Sequence, residues 1–108
     1  MKKTIYNKLV RDGIPKIIKD DGQFPVTRIL DSVEYRKALL DKLIEESTEL
    51  RDSDGDIGER VDVAEVLRAL DDILKFDSAD IETLRAKKAN KRGGFEQRLF
   101  LESIQADD

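Results

Sequence analysis

The chain has 108 residues, 41% of them charged, a formal net charge of only -4, and neither His nor Cys. Without Cys there is no disulfide framework, zinc knuckle or thiol nucleophile, and a reducing compartment suits it. Without His, Ser-His and Cys-His catalysis drop out and a transition-metal site is disfavoured.

The length suits a single domain over 1–108. No apolar run approaches the roughly 20 residues that cross a bilayer. Lys2 and Lys3 are not followed by the apolar stretch of a signal peptide. No membrane partner and a cytoplasmic location are therefore expected.

Segment 4–12 (TIYNKLVRD) reads as an extended or irregular arm. Pro15 suits the first turn of a short helix that stops at Gly22. Segment 23–30 contains Pro25 and reads as an extended connector or edge strand. Asp31, with Glu34 three residues on, predicts a capped helix start running to about Leu50. Segment 52–56 (DSDGD) is a turn by composition. A second long helix is expected over 57–76, Asp77 or Ser78 caps a third over 79–92, and Gly93-Gly94 stops it. Segment 95–104, with Phe95, Leu99, Phe100, Leu101 and Ile104, is expected to pack back on the helices. The predicted architecture is all-α, a small antiparallel helical bundle.

Charge is unevenly placed. Segment 1–19 holds six Lys/Arg against one acid, and segment 85–98 holds six against one, while 45–65 (EESTELRDSDGDIGERVDVAE) holds nine acids. Basic ends are compatible with nucleic acid, but only two Tyr and four Phe are present and no Trp. An acidic centre between basic arms fits a metal ion carrying a polyanionic small molecule better, so no nucleic-acid partner is expected.

Three readings of the acidic stretch compete: a calcium loop, a solvated surface, or two halves of a metal site. Asp52, Asp54 and Asp56 alternate as calcium-loop ligands do, but Ile57 stands where the sharp turn needs Gly and Val63 where the bidentate Glu belongs. The surface reading is tested by direction. With Tyr35 at zero, Leu39, Leu50, Leu43, Leu40 and Ile44 span about 40–180°, with Glu46 near 20°, Glu49 near 320° and Glu45 near 280°, pointing away. On the next helix, with Asp62 at zero, the apolar residues run from about 340° to 140° and Glu59 lies near 60°. Glu65 falls beside that face.

A carboxylate on a packing face costs several kcal/mol unless a cation neutralises it. The pairs Glu46/Glu49 and Glu59/Asp62 each have i,i+3 spacing and belong to helices joined by a short turn. An inward network with Lys or Arg would satisfy them, as would a metal. With no His available, oxygen ligation points to magnesium, with manganese as a substitute.

The residues also carry a resemblance. EESTE (45–49) followed by ERVD (59–62) resembles the EExxE…ExxD signature of the all-α nucleoside triphosphate pyrophosphohydrolases, the MazG-like and phosphoribosyl-ATP pyrophosphohydrolase-like superfamily. YNKLVRDGIPKII (6–18) and KKANKRGGFEQRL (87–99) are similar to the opening and closing motifs of one branch of small stand-alone proteins. The resemblance implies a magnesium-dependent hydrolase acting between the α and β phosphates of a nucleotide, and a homodimer or higher oligomer. It assigns Glu46 and Glu49 as the first metal-binding pair and Glu59 and Asp62 as the second. Glu45 matches the leading Glu, and Glu65 lies one turn further as an extra ligand or water-orienting group. Where the histidine-pathway enzymes carry a His after the second motif, this chain has Arg68 and Ala69. Phosphoribosyl-ATP is thus the alternative substrate to a nucleoside triphosphate. A triphosphate also needs cations, for which Lys8, Arg11, Lys88, Lys91 and Arg92 are the candidates. A helical interaction module, or a nucleotide sensor without turnover, is the competing class of function.

Overall fold

The computed structural model describes residues 2–107. Four helices follow one another, α1 (Ile14–Asp20), α2 (Ser32–Asp52), α3 (Ile57–Leu74) and α4 (Ser78–Arg92), and no strand occurs among the described residues. Segment 23–30 is irregular, so of its two expected readings, connector or edge strand, the connector is the one that holds. The chain divides between Lys75 and Phe76 into two compact units. No helix among the described residues is long and apolar enough to cross a membrane.

Each helix starts where the sequence supplies a cap. Asp31 accepts the Glu34 backbone N–H at 2.8 Å, an N-cap bond typically worth about 1 kcal/mol. The Glu34 carboxylate takes a two-pronged contact from Arg28, at 2.8 and 3.3 Å, which ties the preceding connector to the helix. Asp77 caps α4 by accepting from Ala79 and Asp80, and Gly93 follows its last turn at φ 82°. Pro15 occupies the first turn of α1, where a missing N–H removes no helical bond.

The DSDGD turn is built from its own carboxylates. Asp52 ends α2 and accepts from Arg51 Nε at 3.1 Å. The Gly55 N–H bonds the Leu50 carbonyl and the Asp54 N–H bonds the Arg51 carbonyl, both at 3.0 Å, closing a Schellman motif. Asp54 supplies the left-handed residue of that motif at φ 55°, a conformation its short polar side chain tolerates. Asp56 caps α3 by accepting from Gly58 at 3.0 Å. The alternating Asp residues are thus a helix end, a reversal and a helix start.

The reversal takes four residues, so α2 and α3 lie antiparallel and pack along their length. Leu39 meets Val66 and Leu70 at one end of the pair, and Glu46 meets Glu59 towards the turn. The core of this first unit is small: Leu39, Val66 and Leu70 are buried, with Leu9, Tyr35, Leu43, Ala69, Ile73 and Leu74 partly buried around them. Full burial of such side chains stabilises by roughly 1.5–3 kcal/mol each. The far side of the predicted apolar arc of α2 is not covered: Leu40 and Ile44 are exposed, as is Val33 two turns before Leu40.

In the second unit, α4 is largely exposed and only Ala89 is partly buried. Residues 95–104 form no helix, and the apolar side chains expected to be covered are exposed, Phe95 at 96%. A short irregular segment has no apolar face of its own to match to a partner, so hydrophobicity alone does not bury it.

Candidate metal centre

Glu46 comes from the last turn but one of α2, Glu49 from the last turn, and Glu59 from the first turn of α3. One carboxylate oxygen from each lies within 4.8 Å of the other two. The geometry follows from i,i+3 spacing on one helix and an antiparallel neighbour entering through a four-residue turn.

Burial is graded across the cluster. Glu46 is 7% exposed, Glu59 is half-buried, and Glu49 is exposed. Glu46 Oε1 lies 3.4 Å from Lys42 Nζ, whereas its Oε2 is buried with no hydrogen-bond partner among the described residues. Burial, and then the facing Glu49, push the Glu46 carboxyl above its ordinary pKa, with Lys42 opposing them. An anion in that position asks for a positive charge at Oε2 or for a proton.

The remaining expected residues divide into three groups. Asp62 is not among the three converging carboxylates; its Oδ1 accepts from Arg11 Nη2 at 2.7 Å. Glu45, expected to point away, is half-buried and takes Lys8 Nζ at 3.1 Å and Lys42 Nζ at 3.3 Å. Desolvation works to raise its pKa, but the Lys8 and Lys42 hydrogen bonds outweigh it and hold the carboxyl below its ordinary value. The same hydrogen bond, reinforced by the charge of Glu45, raises Lys8. Glu65 is exposed on α3, one turn beyond Asp62. Lys8 and Arg11 therefore face carboxylates of the hairpin, and Lys88, Lys91 and Arg92 are exposed on the last turns of α4, in the second unit.

Lys42 is the residue the sequence reading missed. Its side chain is only 15% exposed and its ammonium touches both Glu45 and Glu46. The signal was present, because Lys42 stands three and four residues before those acids, where helix geometry puts side chains in reach.

The donor set is all oxygen, convergent and short of positive charge at one buried atom, which fits a hard divalent cation. Lys42 supplies part of the compensation but leaves Glu46 Oε2 free.

Comparison with known proteins adds one relative. A protein of Mycolicibacterium smegmatis (strain ATCC 700084 / mc(2)155), described as an uncharacterized protein, is 51% identical over 47 residues, covering 44% of this chain and 48% of that protein. The matched region thus spans about half the length of each. No family model matches the chain. No solved structure matches it.

Proposed function

We propose that the chain is a magnesium-dependent hydrolase that cleaves a nucleoside triphosphate, or a related nucleotide such as phosphoribosyl-ATP, between the α and β phosphates. The products are a nucleoside monophosphate and pyrophosphate. The observation that carries this reading is the Glu46 carboxylate, buried, unpartnered at Oε2 and gathered with Glu49 and Glu59. The EExxE…ExxD pattern to which these residues belong supports it.

Glu46 and Glu49 on α2, with Glu59 and Asp62 on α3, would hold magnesium or manganese. Such an ion, when bound, supplies charge neutralisation for phosphate oxygens and lowers the pKa of water. Glu46 is the group suited to accept the proton of the attacking water, because its Oε2 is buried, without a hydrogen-bond partner and gathered with Glu49 and Glu59 where the water would be held. That proton moves to a Glu46 oxygen while the water oxygen bonds to phosphorus and pyrophosphate departs. Lys8 and Arg11 bring cationic charge to the hairpin from the arm, which suits them to contact phosphate.

A homodimer or higher oligomer belongs to the same proposal. Val33, Leu40 and Ile44 form an exposed apolar stripe on α2, with Ile44 68% exposed, beside a core of only three buried residues. Sedimentation at graded concentrations tests this: a monomer at all concentrations removes the oligomer.

The deciding experiment is a screen for pyrophosphate release across ordinary and modified triphosphates plus phosphoribosyl-ATP, with magnesium, for wild type and Glu59→Ala. Release by the wild type and its loss in the variant are expected. If magnesium neither stabilises the wild type nor supports release from any substrate, the enzyme reading is wrong. The second reading is a helical module without turnover, favoured by the ion pairs in which Lys8, Lys42 and Arg11 already satisfy some of the acids. It predicts no stabilisation by magnesium, whereas a nucleotide sensor predicts nucleotide binding without pyrophosphate release.

A further inference from the structure

The arm before α1 is held across the helix hairpin at three points. Lys8 reaches Glu45 on α2 at 3.1 Å. Arg11 reaches Asp62 on α3 at 2.7 Å. Between them Leu9 packs against the cluster of Leu39, Val66 and Leu70. The contact through Leu9 is apolar and partly buried, while the Lys8 and Arg11 side chains are about half exposed. The arm therefore has a fixed anchor with a guanidinium beside it that can change partner without the arm leaving.

Arg11 is not spread over the acidic cluster. It takes Asp62, the one of the four proposed ligand carboxylates that stands outside the group formed by Glu46, Glu49 and Glu59. A guanidinium and a divalent cation on one carboxylate repel each other, so the ion's full use of Asp62 requires Arg11 to move. Once released, the same guanidinium is matched in charge and in donor geometry to a phosphate group.

We propose that Arg11 is an exchangeable counter-ion, pairing with Asp62 while no ligand is bound and passing to a polyphosphate when a divalent cation takes that carboxylate. Resting on the metal-and-polyphosphate reading above, this makes Arg11 a positioning residue with opposite effects on the two ligands. It weakens the cation when the cation is alone, and it strengthens the polyphosphate when both are present. By linkage the two ligands then favour each other through the arm as well as through their direct attraction.

The test measures binding to the full chain, without turnover. Manganese affinity is read from the loss of the free-ion electron paramagnetic resonance signal, and methylenediphosphonate affinity by calorimetry at saturating manganese. For Arg11→Gln the expected result is manganese bound about 1.4- to fivefold more tightly, the range of an exposed ion pair. Methylenediphosphonate should bind about tenfold or more weakly, as for loss of a charge-assisted contact. Arg11→Lys should restore part of both effects, and circular dichroism confirms that the helices persist. Manganese affinity unchanged or reduced in Arg11→Gln overturns the exchange while leaving the metal centre standing, as does unchanged diphosphonate affinity. A wild type that binds no manganese overturns the metal reading and the exchange together.

Discussion

Replacing Glu49 by Gln isolates the electrostatic strain of the candidate centre. Its carboxylate oxygen lies within 4.8 Å of oxygens from both Glu46 and Glu59. Two unit charges at that separation repel by about 0.9 kcal/mol even in the dielectric of water. Glu49 is exposed, so this solvent-screened figure is the appropriate one, and ~0.1 M salt with a Debye length of about 10 Å reduces it further. Removing both repulsions leaves a gain of about 1 kcal/mol for the metal-free protein. For a folding unit of this size that corresponds to a rise in Tm of about 4–8 °C.

The same substitution removes a ligand from the proposed ion. A ligand at a hundred times its Kd stabilises by about 2.7 kcal/mol, so the wild type overtakes the variant once magnesium is in excess. Thermal unfolding followed by circular dichroism, in EDTA and then in excess magnesium, measures both halves. The expected signature is an inversion: Glu49→Gln melts higher in EDTA and lower in magnesium. If the variant is no more stable than wild type in EDTA, the chain's own cations already satisfy the cluster. The case for a missing cation then collapses.

The remaining expectations concern Glu46 and the core. Burial, and then Glu49, raise the Glu46 pKa above the ordinary 4.5 while Lys42 opposes them, so the folded chain binds this proton more tightly than the unfolded chain. The associated stability is complete below about 4.5 and is lost as pH rises through the raised value. In metal-free buffer the wild type should therefore lose stability relative to Glu46→Gln as pH rises from 4.5 towards neutral, measured by urea unfolding; parallel curves would show that Glu46 titrates normally. Leu39→Ala should destabilise by about 2–5 kcal/mol, since Leu39 is 2% exposed at the centre of a small core. A loss below about 1 kcal/mol by urea unfolding would mean that the α2/α3 contact is not where this unit's stability lies.

Helix positions were legible because they depend on local chemistry. Asp31 and Asp77 cap their helices as residue type and spacing imply, and Pro15 and Gly93 bracket α1 and α4 in the expected sense. The inward direction of Glu46 also followed from helical periodicity, since a residue near 20° on a wheel whose apolar arc starts at zero has few other places to go. The same wheel failed for Leu40 and Ile44, which stand exposed. Periodicity reports which residues share a face, and how wide a face is covered depends on how many neighbours pack on it.

The amino-acid sequence by itself determined the secondary structure, the four-residue reversal at DSDGD, and the presence of two acidic pairs on adjoining helices. It also excluded His and Cys chemistry outright. Only the tertiary structure decided how those acids are partnered. Three carboxylates converge while Asp62 pairs with Arg11, Glu45 is held by two lysines, and Lys42 leaves one buried oxygen of Glu46 unsatisfied. The reason is physical. A cap or a turn is settled within a few bonded neighbours, whereas the partner of a charge is chosen among all cations that the fold brings within reach, including some fifty residues away along the chain.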